Sequence, residues 1–167
     1  MKVLGIDPGS QTLGWGIVEG SGLKYQGIAY GTVKSSPKMA FSKRLLKIHD
    51  GLIDVIKKFE PDVVSIEEAF YAQNVKVALK LGQVRGAVLL IGEKAGLEIA
   101  EYSPKTIKQT VVGYGNAEKS QVQEMVRILL KLSKTPEPHD AADALAIAIC
   151  HFHHFGIQDR VKKAKLK

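Results

Sequence analysis

Cysteine is nearly absent: Cys150 stands alone in 167 residues. One cysteine cannot close an internal disulfide, so a reducing cytosol is the natural setting, and cytoplasmic localisation is expected. Set in an apolar run, Cys150 reads as a small buried hydrophobe. Long apolar runs are missing as well. Nothing approaches the roughly 18 uninterrupted apolar residues of a membrane span. Asp7 arrives too early for the apolar stretch of a signal peptide. Acidic residues are outnumbered, 17 against 24 Lys plus Arg, leaving a formal charge of +7. That balance suggests an anionic partner, with nucleic acid first among them. There is no internal repeat.

What is present is enough for one core, since 45% of the residues are hydrophobic. A single nuclease-sized domain over 1–156 is expected. A basic tail, 157–167, carries Lys162, Lys163, Lys165 and Lys167 and reads as mobile. The first third alternates strands and turns. Val3, Leu4 and Ile6 lead into Asp7-Pro8-Gly9-Ser10, and strands over Leu13–Val18 and Leu23–Val33 follow. Short connections make these an antiparallel meander. Helical spacing of Phe41, Leu45, Ile48, Leu52, Val55 and Phe59 predicts a helix over about 38–59. Val63–Ile66 is a short buried strand, 74–95 a long helix, and Leu97–Ala100 a fifth strand. Ser103-Pro104 opens a further helix, another spans about 118–132, and an apolar one covers about 140–154. The expected class is α/β, with a five-stranded mixed sheet flanked by helices.

Carboxylates fall at the ends of these elements. Val3, Gly5 and Asp7 share one strand face, as do Val63, Ser65 and Glu67. If the two strands are neighbours, Asp7 and Glu67 project from one end of one face, about 5 Å apart. Asp7 alone reads more readily as turn chemistry, because Asp-Pro-Gly is a good turn. Asp140 and Asp143 lie three apart on the apolar last helix and share its face. Asp140 suits a helix N-terminus. Asp143, ringed by alanines, wants another partner, and a divalent metal is a common one. Four carboxylates at one point, about −4 in charge, make sense around hard cations. Two Mg²⁺ ions about 4 Å apart can activate water and stabilise the leaving oxygen of a phosphodiester.

The chain resembles the RuvC family of Holliday-junction resolvases in Gly5-Ile6-Asp7-Pro8-Gly9-Ser10, Ile66-Glu67, Ala78-Leu79-Lys80-Leu81-Gly82-Gln83 and Lys108-Gln109-Thr110-Val111-Val112-Gly113. Ala117-Glu118-Lys119-Ser120-Gln121-Val122 and Asp140-Ala141-Ala142-Asp143-Ala144-Leu145-Ala146 extend it, in order, over about residues 2–154. The resemblance implies a ribonuclease-H-like fold, a homodimer, and metal-dependent cutting of paired strands in four-way junction DNA. It implies work alongside the RuvA–RuvB branch-migration machine, with Mg²⁺ as cofactor and Mn²⁺ able to substitute. It assigns the metal carboxylates to Asp7, Glu67, Asp140 and Asp143. Family members vary at the start of the last cluster, so His139 could share the role given to Asp140. The resemblance also favours Phe70 as a base-stacking residue and Lys108 and Lys119 as DNA contacts, although surface lysines are usually just solvated.

The long helix, the histidines and the overall activity each admit more than one reading from sequence. Val77, Leu81, Val84, Val88, Ile91 and Ala95 form a coiled-coil-like seam, and Val75, Leu79, Gly82, Gly86 and Leu89 form a second face that could pack on the sheet. Pattern alone allows a fully buried helix; the resemblance favours a dimer seam. His151, His153 and His154 read as cations near a helix C-terminus. The rival functions are a non-catalytic junction-binding module and an actin-like or sugar-kinase ATPase fragment, which needs a second related domain.

Overall fold

In the computed structural model, residues 1–22, 24–68 and 74–165 are described, with side-chain surroundings through Gly156. Five strands form one sheet in the order β3-β2-β1-β4-β5. Strands β1 (Lys2–Asp7), β2 (Thr12–Ser21) and β3 (Lys24–Lys34) make the antiparallel meander. Helix α1 (Phe41–Phe59) crosses back, and β4 (Val63–Glu67) pairs parallel to β1. Helix α2 (Val75–Lys94) then delivers β5 (Glu98–Tyr102), parallel to β4. The chain closes with α3 (Pro104–Val112), α4 (Lys119–Leu129) and α5 (His139–Lys165). This is a ribonuclease-H-like arrangement, as the sequence implied.

Side-chain alternation along the strands splits the interior in two. Leu4, Ile6, Leu13, Ile17, Val64 and Ile66 face α1 and α2, where Ile48, Leu52, Val84, Val88 and Ile91 cover them. Val3, Val18 and Val63 face α5, which is buried from Ala144 through Phe152. Helices α3 and α4 pack on α5 in turn through Ile107, Val111, Val122 and Val126. Between Ala141 and Phe152, α5 is therefore enclosed on both sides, which is why this stretch is apolar nearly all round.

Three small residues, Gly5, Gly14 and Ser65, let α5 lie close to the sheet. A side chain at Gly5 would strike the backbone of Ala144 and Ala148. Gly5 pairs with Ser65, whose hydroxyl donates to the Ile147 carbonyl at 3.1 Å. A residue with a Cβ at Gly14 would collide with the backbone of Asp140.

Three sequence expectations need correction. Helix α5 continues to Lys165 instead of ending near 154. The histidines are thus mid-helix, and the dipole of a helix end does not account for them. His151 is buried and shares a hydrogen bond through Nδ1 with the Tyr102 hydroxyl at 3.0 Å; His153 Nε2 shares one with the Tyr25 hydroxyl at 2.9 Å. Burial holds both imidazoles below the usual range, so they are packed as neutral rings. The two faces of α2 are also exchanged. Val84, Val88 and Ile91 pack on the sheet, while Val75 (70% exposed) and Leu79 (64%) face outward.

Candidate active site

The end of the sheet where β1 and β4 finish forms a cleft of about 170 Å³, lined by Asp7, Glu67, Lys108, Lys119 and Asp143 over an apolar floor of Ile107, Val122, Ala146 and Ile147. Parallel pairing in the register Gly5↔Ser65 and Ile6↔Ile66 brings Asp7 and Glu67 to the same end and the same face. Helix α5 enters over Gly14 and presents Asp140 and Asp143 from its first turns. Glu68 is exposed, and its backbone N–H continues the ladder to the Tyr102 carbonyl.

The carboxylates are close enough to disturb one another. The Asp7 carboxyl is pushed up to about 7. Loss of solvent is the largest cause, followed by the negative charges of Asp143, Glu67 and Asp140. Burial and then Asp143 raise Glu67, against the opposing pull of Lys108 and Lys119. Lys119 lies at the start of α4 with its ammonium 2.7 Å from Asp143 Oδ2. Its neighbour Glu118 has its backbone N–H held by Gln121 Oε1 at 2.9 Å, which fixes this helix start. Among the described residues, no three His, Cys, Asp or Glu side chains are arranged to hold a metal ion. The donor chemistry nonetheless fits a hard cation, for the site gathers carboxylate oxygens whose negative charges destabilise one another.

Around this centre, Lys108 also lines a neighbouring hollow with Glu67, Lys105, Gly115 and Asn116, so the turn between α3 and α4 borders the cleft. His139 is exposed, and its Nδ1 lies 2.8 Å from Gln123 Nε2, which donates to it. Buried Gln123 went unnoticed in the sequence; a polar residue at a core position of the α4 pattern, between Val122 and Val126, was the available signal. Arg85, unassigned from sequence, pairs with Glu101 at the end of β5. The reading of Phe70 falls in 69–73, outside the described residues.

An acidic cleft at the ends of parallel strands, flanked by lysines, on a ribonuclease-H-like sheet, defines a nuclease-type centre. The RuvC family model, described as crossover junction endodeoxyribonuclease, matches residues 3–151. The RuvC protein of Caldanaerobacter subterraneus subsp. tengcongensis is 47% identical over 161 residues, 96% of this chain and 98% of the relative. That of Alkaliphilus metalliredigens is 48% identical over 164 residues, 97% and 100% of the two chains. Among solved structures, Thermus thermophilus RuvC in complex with Holliday junction substrate superposes with a TM-score of 0.89 at 38% identity, covering 95% and 96% of the two chains. The chain belongs to the RuvC family of crossover junction endodeoxyribonucleases. The yeast mitochondrial Holliday junction resolvase, at 16% identity and a TM-score of 0.64, shares the fold.

Proposed function

We propose that this chain resolves four-way DNA junctions by paired, metal-dependent hydrolytic nicks in strands of like polarity, during homologous recombination and DNA repair in the cytoplasm. One observation carries the reading: Asp7, Glu67 and Asp143 share a cleft with Lys108 and Lys119, and Asp140 is near enough to act on Asp7.

Asp7, Glu67, Asp140 and Asp143 hold two Mg²⁺ ions, with Mn²⁺ as a working substitute. When bound, such ions supply an activated water and a stabilised leaving oxygen at the scissile phosphodiester. The chain's own part is positioning. Strands β1 and β4 fix two of the carboxylates and α5 fixes the other two, so the ligand set depends on sheet–helix packing and not on a loop. His139, adjacent to Asp140 and oriented by Gln123, is an auxiliary at that corner. Lys108 and Lys119 bring positive charge to the phosphates beside the cut, and Phe70 stacks on an exposed base at the junction.

The active form is a homodimer that works with the RuvA–RuvB complex. Two copies give two matched cleavage sites on a substrate with two-fold symmetry. The exposed apolar stripe of Val75, Leu79 and Leu90 on α2 is the surface that supports pairing. Residues 1–156 make up the nuclease unit, and the basic segment 157–167 adds charge of the sign DNA attracts.

The test is single-turnover cutting of an end-labelled mobile junction against linear duplex, with Mg²⁺, with Mn²⁺ and with EDTA. Symmetric nicks confined to the junction and abolished by EDTA are expected. Tight junction binding with no metal-dependent nick would leave a binding module instead.

A further inference from the structure

Lys119 is held in a way that contact with DNA phosphate does not explain. Its ammonium bonds Asp143 at 2.7 Å. Asp7 and Asp140 also favour its charged form, and it in turn acts on Asp7 and Glu67. The lysine thus sits among the carboxylates. Its side chain is 58% exposed, so packing does not lock it there and the ammonium can swing away. Lys108 differs: it acts on Glu67 from the cleft wall and makes no ion pair within the described residues.

A carboxylate oxygen can serve an ammonium or a divalent cation, but holding both places like charges within a few ångströms. That repulsion persists even with the screening of a partly exposed site. The acidic centre therefore has two alternative counter-charges, and only one of them belongs to the chain.

We propose that Lys119 is a built-in counter-ion of the metal-free site, displaced from Asp143 when the divalent cation enters and thereby released to a phosphate of the junction. The proposal rests on the four-carboxylate metal site put forward above. It makes Lys119 a positioning residue with a specific duty: it restrains metal binding in the free protein and couples metal to DNA. Because metal releases the ammonium for DNA, metal must tighten junction binding, and the junction must tighten metal binding by the same factor.

Calorimetric titration of Mn²⁺ into the DNA-free protein tests the first half, using wild type, Lys119→Met, Lys119→Arg and Lys108→Met. Lys119→Met should bind Mn²⁺ about 5- to 10-fold more tightly, the scale of an ordinary coupling. Lys119→Arg, which keeps the charge, should stay near wild type, and Lys108→Met should fall well short of Lys119→Met. The second half is read from junction affinity with and without Ca²⁺ at fixed ionic strength, with strand integrity checked on a denaturing gel. Ca²⁺ should strengthen binding by wild type more than by Lys119→Met. Equal Mn²⁺ affinity in wild type and Lys119→Met overturns the proposal. So does an equal rise in Lys108→Met, because a general field would then suffice. If Mn²⁺ binds none of the four proteins, the metal site itself is overturned, and that result is distinct from the other two.

Discussion

The Asp7 carboxyl is pushed up to about 7, first by burial and only then by its acidic neighbours. An unfolded aspartate titrates near 3.9. Between about pH 4 and 7 the folded state therefore holds more protons than the unfolded one, and stability falls as pH rises through that window. Asp7→Asn removes this cost. In EDTA at pH 8, calorimetric unfolding should show the variant more stable than wild type by about 1–3 kcal/mol, short of the full shift because the other carboxylates readjust. Cleavage should vanish while junction binding persists or tightens. Equal loss of binding and cutting in a folded variant would remove Asp7 from the centre. Glu67 and Glu68 give a second contrast. Glu67 lines the cleft, whereas Glu68 is exposed at the strand end. Glu67→Gln should abolish single-turnover cutting, while Glu68→Gln should keep it within about tenfold, a barrier change near 1.4 kcal/mol. The opposite ranking would move the functional carboxylate one residue along. This pair was legible in the sequence because alternation along a strand is rigid and the small residues Gly5 and Ser65 mark the side where a helix must come close. The ion pair of Lys119 with Asp143 was not legible. It joins two helices through a loop whose course no periodicity encodes.

At the scale of elements, the seating of α5 on the sheet determines where Asp140 and Asp143 stand. Gly14→Ala puts a methyl group into the Asp140 backbone, so it should lower cutting by tenfold or more without touching any charge, about 1.4 kcal/mol or more of barrier. An unchanged rate with an unchanged fold would show that the first turn of α5 tolerates displacement. The histidines farther along α5 oppose Asp7 in sign. Burial depresses His151 and His153, so their share of stability is present above about pH 6.5 and lost as pH falls through the lower folded values. His151→Asn, which keeps an acceptor for Tyr102, should flatten the acid side of the melting-temperature profile; a profile as steep as wild type would assign the slope to other groups. These roles were hidden because spacing alone placed three histidines at a helix end that the chain extends to Lys165. The faces of α2 show a similar limit. Two apolar stripes on one helix both satisfy a repeat of three and four, and only the sheet decides which one it buries. Glycine gave a further hint: Gly82 and Gly86 lie on the open face with nothing close by, while Gly92 fits against Ile99 and Val64.

For the whole molecule, the unpaired stripe of α2 and the acidic centre predict how the chain responds to partners. Leu79→Glu puts a charge on the exposed face, with the core residues Val84, Val88 and Ile91 untouched. It should yield folded monomers in sedimentation and turn paired cuts into single nicks. An unaltered dimer would place the interface elsewhere. Mg²⁺ at millimolar concentration should raise the melting temperature of wild type through linkage, and less so for Asp143→Asn.

Helix α2 is also unevenly supported along its length. From Val75 to Gln83 no residue is buried, and the inward anchors Val84, Val88, Ile91 and Gly92 all fall in the later half. Two turns of helix that bury none of their residues are marginal in water. Amide hydrogen exchange should therefore run as a gradient in a dilute monomer, fast before Val84 and slow after it. Association would supply the missing contacts and slow the early turns to the pace of the late ones. Protein concentration alone would then set how firmly the first turns of the helix are held.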